Sequence, residues 1–440
     1  MNKLKPSQIL FFSFILIIFI GTILLLLPIS QGSEGNLSFF EALFTATSSL
    51  SVTGLSVVDI SRAYSKFGQT IILVLIQLGG LGVMTFSSVF MLLIGRRIKY
   101  HEKKILMENL NRDSLDNIVD FIVKLIKIVF LIEFIGAIFL LIRFKQDMAL
   151  LDAIFYSIFH SISAFCNAGI SIFPDNLLSY SDSIIINFTI SSLIIIGGIG
   201  FAVIYSFIDK IKDRKKESTL TTKVAVRITI WLLVIGFFVI IITEYNNPET
   251  IGTMSFFDKI MASFFQSATV RTAGFYTISV DKLMPGTRYL FYLFMFIGAS
   301  PGSTGGGVKT TTFGVIIYSI IAIIRNKKDV TIINRRISWH IINRALAILV
   351  ISISYVSVIT FAILIFEERD LIDIIFETMG AFSTAGFSTG ITPTLHDFSK
   401  ILLMLTMIIG RLGPLTFAIA LGEELKVAKY RYPRENILIG

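Results

Sequence analysis

The chain has 440 residues, 54% hydrophobic and 16% charged, with a net charge of +9 and a mean hydropathy of +0.79. Soluble domains carry about 25% charged residues, so this composition excludes a soluble globular protein and marks a polytopic membrane protein. The single cysteine, Cys166, excludes an intrachain disulfide framework or a multi-cysteine metal site, and His101, His160, His340 and His396 are too scattered to pair around zinc or haem.

Eight apolar stretches lie near 7–28, 70–95, 119–142, 184–208, 224–245, 288–324, 344–366 and 399–421. Each is long enough to span about 30 Å of hydrocarbon, which takes roughly 20 helical residues. The first lacks a small-residue cleavage motif and reads as a retained span. Segments 1–6, 96–118, 209–227, 325–344 and 422–440 hold 25 of the 39 Lys and Arg, whereas 367–400 has six Asp/Glu against Arg369 and Lys400. Basic linkers mark the cytoplasmic side, which predicts eight crossings with both termini inside. The positive charge follows topology and does not call for nucleic acid.

The four outer segments read FFEALFTATSSLSVTGLS, AIFYSIFHSISAFCNAGIS, KIMASFFQSATVRTAGFY and DIIFETMGAFSTAGFST. Aligned on Gly54, Gly169, Gly274 and Gly386, each has a phenylalanine ten residues upstream: Phe44, Phe159, Phe264 and Phe376. The glycines are 115, 105 and 112 residues apart, so the chain is a fourfold internal repeat. A single T-A-G or N-A-G is an ordinary helix end; four at matched places are not.

The stretch before each glycine covers only half a bilayer as a helix and predicts a re-entrant segment. Extended backbone at membrane depth is tolerated only where it is buried in protein or lines a watery cavity. Four copies around one axis would aim glycine carbonyls at a common pore, with the negative helix ends behind them. Carbonyl rings replace the hydration shell of an alkali cation. No Asp or Glu lies in the glycine clusters, which favours a monovalent ion.

On these motifs the chain resembles the Trk/Ktr/HKT superfamily of potassium transporters, and within it the bacterial Ktr membrane subunit, over essentially its whole length. The resemblance implies an all-α integral membrane protein of eight transmembrane helices, in four M1–pore loop–M2 repeats with pseudo-fourfold symmetry. The repeats would occupy 1–95, 119–208, 224–324 and 344–421, followed by a cytoplasmic tail at 422–440. It implies a potassium filter built from backbone carbonyls of Val52, Thr53, Gly54 and Leu55; Asn167, Ala168, Gly169 and Ile170; Thr272, Ala273, Gly274 and Phe275; and Thr384, Ala385, Gly386 and Phe387. In plant relatives a serine at the first glycine goes with sodium transport, so Gly54 implies potassium.

The second spans of repeats one, two and four carry GGLG (79–82), GGIG (197–200) and GRLG (410–413), read as helix-packing motifs. In the third the same place expands to GASPGSTGGGVKTTT, Gly298 to Thr312. This nearly matches a phosphate-binding loop, but Val308 separates Gly307 from Lys309, and the flanks are apolar spans. Proline and clustered glycines break a helix. The resemblance implies an intramembrane gating loop here, with Gly298, Pro301, Gly302, Gly305, Gly306, Gly307 and Lys309; a kinked helix is the alternative. Arg411 costs about 2.5–3.5 kcal/mol to insert. It is expected to face the cavity as a barrier to cations, held by the loop, or else to pair with Glu377 or a carbonyl.

No dinucleotide motif or soluble domain is present, and no cofactor is expected in this chain. The resemblance implies a homodimer in the bacterial plasma membrane, with lipids around it and a cytosolic RCK-type nucleotide-binding ring on its basic inner face. Potassium is the expected cargo and sodium a candidate activator. The rivals are a sodium-coupled or poorly selective monovalent cation transporter, a secondary transporter with inverted repeats and an intramembrane carboxylate, and a membrane enzyme with clustered aspartates. The repeats share one orientation and no acid cluster is visible, so enzymatic chemistry is not expected.

Overall fold

The computed structural model describes residues 6–33, 35, 37–82, 118–212 and 217–413. Nearly all of the basic linker 96–118, the ends of the spans 70–95 and 399–421, and the tail 422–440 lie outside the described residues.

The described chain is helical almost throughout. It begins with α1 (Pro6–Leu26), the short α2 (Phe39–Ser51), one turn of α3 (Ile60–Ala63) and α4 (Lys66–Leu81). Next come α5 (Ile118–Phe144), the short α6 (Leu150–Phe165), α7 (Ile184–Ile199) and α8 (Phe201–Lys212). Then follow α9 (Leu220–Glu244), the short α10 (Phe256–Thr269), α11 (Pro285–Phe296) and α12 (Thr310–Ile324). A small hairpin, β1 (Thr331–Ile332) with β2 (Arg335–Arg336), leads to α13 (Trp339–Leu364), the short α14 (Leu371–Phe382) and α15 (Asp397–Leu412). Ile333 and Asn334 turn the hairpin with φ of 46° and 59°, the left-handed pair that a two-residue connection requires.

Local chemistry places the short helices. Ser38 and Glu41 form a reciprocal capping box at the start of α2, and the Ser255 hydroxyl accepts from the Asp258 amide at the start of α10. Each short helix is wedged inside its own group: α2 against α1 and α4, α6 against α5 and α7, α10 against α9, α14 against α13 and α15. Contacts between groups run in one direction. Helix α4 packs on α6, α7 on α10, α11 on α14, and α15 back on α2, which closes a ring.

Each short helix buries a phenylalanine in mid-helix, Phe44, Phe159, Phe265 and Phe376, and α6 and α14 bury a second at their ends, Phe165 and Phe382. The expected Phe264 is instead 39% exposed. The third copy has one residue fewer between its helix and its turn: the Ser161 hydroxyl on α6 and the Ser267 hydroxyl on α10 both donate to a carbonyl of the preceding long helix, at 2.5 and 2.7 Å, but stand eight and seven residues before Gly169 and Gly274.

Eight uninterrupted spans are not found among the described residues. Ile122–Phe144, Leu220–Glu244 and Trp339–Leu364 are long and apolar enough to cross a membrane, and α7 with α8 makes a fourth only if a bend of 97° is counted inside one span. The second helices stop where packing motifs were expected. Gly82, Gly200 and Gly413 end α4, α7 and α15 with φ of 83°, 100° and 91° and ψ of 129°, 140° and 134°, a region closed to side chains with a β-carbon. The motifs also pack closely: a β-carbon on Gly79, Gly197 or Gly410 would overlap the carbonyl of Leu50, Phe165 or Phe382 at the end of a short helix.

Candidate functional site

Each short helix runs into a turn of one shape. The first and third residues of the turns are left-handed: Val52 and Gly54 at φ 57° and 95°, Asn167 and Gly169 at 58° and 64°, Thr272 and Gly274 at 85° and 70°, Thr384 and Gly386 at 51° and 67°. A β-branched residue with positive φ is a strained outlier, yet Val52, Thr272 and Thr384 all adopt it. Such strain persists only where the surroundings over-determine it. Here the helices do so: the amides of Thr53, Ala168, Ala273 and Ala385 donate back to Ser48, Ser163, Thr269 and Gly380 at 2.8–2.9 Å. The Ser163 and Thr269 hydroxyls hold the outgoing carbonyls of Ile170 and Phe275, both at 2.7 Å.

The turns lean on one another in sequence. A β-carbon on Gly54 would lie 2.5 Å from the Ala168 carbonyl oxygen, one on Gly169 2.5 Å from that of Ala273, and one on Gly274 2.7 Å from that of Ala385. One on Gly386 would overlap the Thr53 carbonyl, which closes the ring. All sixteen residues expected in the filter, Val52–Leu55, Asn167–Ile170, Thr272–Phe275 and Thr384–Phe387, are thus brought into four abutting turns.

The glycine-rich segment is a loop and not a kink. The chain leaves helix after Phe296 and re-enters it at Thr310, with Ile297 and Val308 bridged in parallel. It touches several groups of helices. The Ser300 and Thr304 amides donate to the carbonyls of Gly198 and Gly197 at 3.0 and 3.3 Å, and the Phe201 amide donates to the Gly302 carbonyl at 2.8 Å. The Gly306 amide donates to the Thr384 hydroxyl at 2.9 Å. A β-carbon on Gly305 would strike the Thr272 hydroxyl, one on Gly298 the Gly306 carbonyl, and one on Gly200 would lie 2.6 Å from the Pro301 carbonyl. Gly302 and Gly307 are left-handed at φ 63° and 71°. The loop lies against Thr272 of turn three, Thr384 of turn four and the end of α7.

Arg411 reaches this loop. Its guanidinium donates to the carbonyls of Thr304 and Gly79, and to Gly80 at 3.3 Å. It therefore ties the loop to the broken end of α4. Lys309 donates to the neighbouring Gly305 carbonyl at 2.7 Å. Of the two partners weighed for a pairing, a carbonyl or Glu377, Arg411 takes carbonyls; the carboxylate oxygens of Glu377 accept from Ser388 and Thr392 hydroxyls at 2.6 Å and from the Thr389 amide at 3.0 Å. Glu377 instead fixes the segment leaving the fourth turn. Each such bond to a charged group contributes roughly 1.5–3 kcal/mol, so Glu377→Ala is expected to lower the melting temperature in detergent markedly. Glu377→Gln keeps one acceptor and should lose less; equal melting curves for all three proteins would contradict this anchoring.

Sequence reasoning missed three features. Asn176 contacts the third turn from a loop 98 residues earlier in the chain. Glu133 is buried on α5, with one carboxylate oxygen receiving Gln77 Nε2 at 3.3 Å and the other without a partner among the described residues. The third is the set of helix breaks at Gly82, Gly200 and Gly413. The intramembrane acid was visible in the composition of α5; its burial was not. Cys166 is fully buried, its Sγ 3.7 Å from Gln77 Oε1.

The chain is similar to known transporters over its full length. The TrkH family model, described as a cation transport protein, matches residues 3–430. The Ktr system potassium uptake protein B of Bacillus subtilis is 41% identical over 443 residues, covering 100% of this chain and 97% of the relative. The protein of the same name from Vibrio alginolyticus is 34% identical over 441 residues (100% and 96%), and the potassium/sodium uptake protein NtpJ of Enterococcus hirae 33% over 448 (100% and 98%). The crystal structure of the potassium transporter TrkH from Vibrio parahaemolyticus superposes with a TM-score of 0.77 at 18% identity, covering 96% of this chain and 86% of that one. With that fold, and with a family match running almost end to end, the chain belongs to the TrkH family of cation transport proteins.

Proposed function

We propose that this chain carries potassium into the cell through one pore lined by the four turns. The observation that carries the reading is the closed ring in which each turn's glycine abuts a carbonyl of the next. Four such turns around one axis offer backbone carbonyls in place of an ion's hydration shell. The four groups of helices are then four repeats with pseudo-fourfold symmetry, and the second crossing of each is broken below the filter. The segment 298–312, tied by Lys309 and Arg411, is the gate. Both termini and the basic linkers face the cytoplasm, where the exposed Arg335 and Arg336 of the hairpin would meet a nucleotide-binding regulatory ring. The membrane subunit acts as a homodimer.

The buried Glu133 favours a second reading, direct coupling to sodium, since an intramembrane carboxylate is a functional candidate by default. One experiment addresses both readings: uptake of potassium, rubidium and sodium into proteoliposomes, with and without a sodium gradient, for wild type and Gly54→Ser. Potassium and rubidium should exceed sodium in wild type, and discrimination should fall in the variant, whose β-carbon meets the Ala168 carbonyl at a φ of 95°. Equal potassium and sodium flux, or a variant indistinguishable from wild type, would overturn the filter. Flux that vanishes without a sodium gradient would favour coupling.

A further inference from the structure

The four turns are not equivalent. Among the described residues, a side chain donates to the carbonyl of one filter glycine and not to the other three: Asn176 Nδ2 lies 3.5 Å from the Gly274 oxygen. The same side chain accepts from the Tyr276 amide at 3.3 Å through Oδ1. One amide thus brackets the strand leaving the third turn. This is also the orientation of the amide in which both contacts join a donor to an acceptor.

Asn176 is held in place from the neighbouring repeat. It is left-handed, with φ 60°, and its own carbonyl accepts from the Ser171 hydroxyl at 3.2 Å. Ser171 lies 3.0 Å from His160 Nε2 and accepts from the Phe173 amide at 3.0 Å. His160 is anchored on α6 by the Tyr156 carbonyl at 2.8 Å and stacks on Phe173, with centroids 4.8 Å apart. From the other side of the strand, Thr269 holds the Phe275 carbonyl. Ile170 is held in the same way by Ser163, but the Gly169 carbonyl has no counterpart of Asn176 among the described residues.

A carbonyl has two lone pairs. One that accepts a hydrogen bond keeps a fixed direction and offers an ion only what remains. Selectivity between alkali cations depends on the geometry, number and field strength of such carbonyls. We propose that Asn176 is a specificity-determining residue, which sets potassium over sodium discrimination by holding the Gly274 carbonyl within the ring. The proposal rests on the filter reading above. Asparagine is required because the position must donate to Gly274 and accept from Tyr276 together.

The test is rubidium uptake into proteoliposomes, with competition by potassium and by sodium, for wild type, Asn176→Ala, Asn176→Asp and Ser171→Ala. Asp keeps the acceptor for Tyr276 but sets a carboxylate oxygen against the Gly274 carbonyl. Both Asn176 variants should change the ratio of sodium to potassium competition by about fivefold, the scale of one neutral hydrogen bond. Ser171→Ala leaves the filter contacts in place and should move the ratio less, in the direction of Asn176→Ala, and it serves where an Asn176 variant does not fold. A ratio unchanged in every folded variant, even with a lowered melting temperature, would make Asn176 a loop clamp and overturn the proposal. Wild type that carries neither rubidium nor potassium would instead remove the filter reading, and this proposal with it.

Discussion

Gly386→Ala is expected to cut potassium uptake by roughly a hundredfold, whereas Gly390→Ala, four residues on, should leave it near wild type. Both glycines are left-handed, at φ 67° and 88°, so both variants carry the backbone penalty of about 1–2 kcal/mol for an L-residue there. They differ in what a β-carbon meets. At Gly390 nothing lies within 4 Å, while at Gly386 it would overlap the Thr53 carbonyl and lie 2.9 Å from the Gly54 α-carbon. Those are backbone atoms of the first turn, already fixed by Ser48, so they cannot rotate aside as a side chain would. Overpacking of this kind adds roughly 1–3 kcal/mol or more. The distortion would pass directly into the carbonyls of Thr53 and Gly54. Rubidium uptake and melting temperature together check the point. Similar transport by the two variants would mean that the turns tolerate separation, and that the ring of close approaches does not matter for conduction.

The repeats were legible because their signal is local. A left-handed turn after a short helix favours glycine, and four such glycines at similar spacing stand out in the chain. The loop 298–312 was legible for the same reason, since five glycines and a proline cannot continue a helix. The breaks at Gly82, Gly200 and Gly413 were not. In GGLG the first glycine packs on a carbonyl and the last ends the helix, and in sequence both roles look like close packing. The offset in the third repeat escaped for a related reason: counting back from Gly274 assumes a fixed distance from helix to turn, and that distance is one residue shorter there. The partners of Arg411 and Asn176 are backbone groups far away in the chain, which no residue pattern records. Glu377 illustrates the converse, since a plausible ion pair with Arg411 gave way to three nearby donors.

Arg411→Ala is expected to raise potassium flux about tenfold or more when the gate is otherwise closed. Two contributions act in the same direction. The guanidinium lies among the carbonyls of Thr304, Gly79 and Gly80, so its removal unties the loop from α4. Bonds from a charged donor are worth about 1.5–3 kcal/mol each. In the proposed pore its charge would also repel a passing ion: at a separation of about 6 Å and an effective dielectric of 20, the repulsion is ~3 kcal/mol. Arg411→Lys distinguishes the two, because an ammonium keeps the charge but lacks the planar fork that spans two chain segments. Flux in Arg411→Lys close to that of wild type would assign the barrier to charge, and flux close to that of Arg411→Ala would assign it to the tether. Lys309→Met should add to the effect of Arg411→Ala through the neighbouring Gly305 carbonyl. Flux that falls in Arg411→Ala, in protein that melts as wild type does, would show that the arginine supports the open pore and does not bar it.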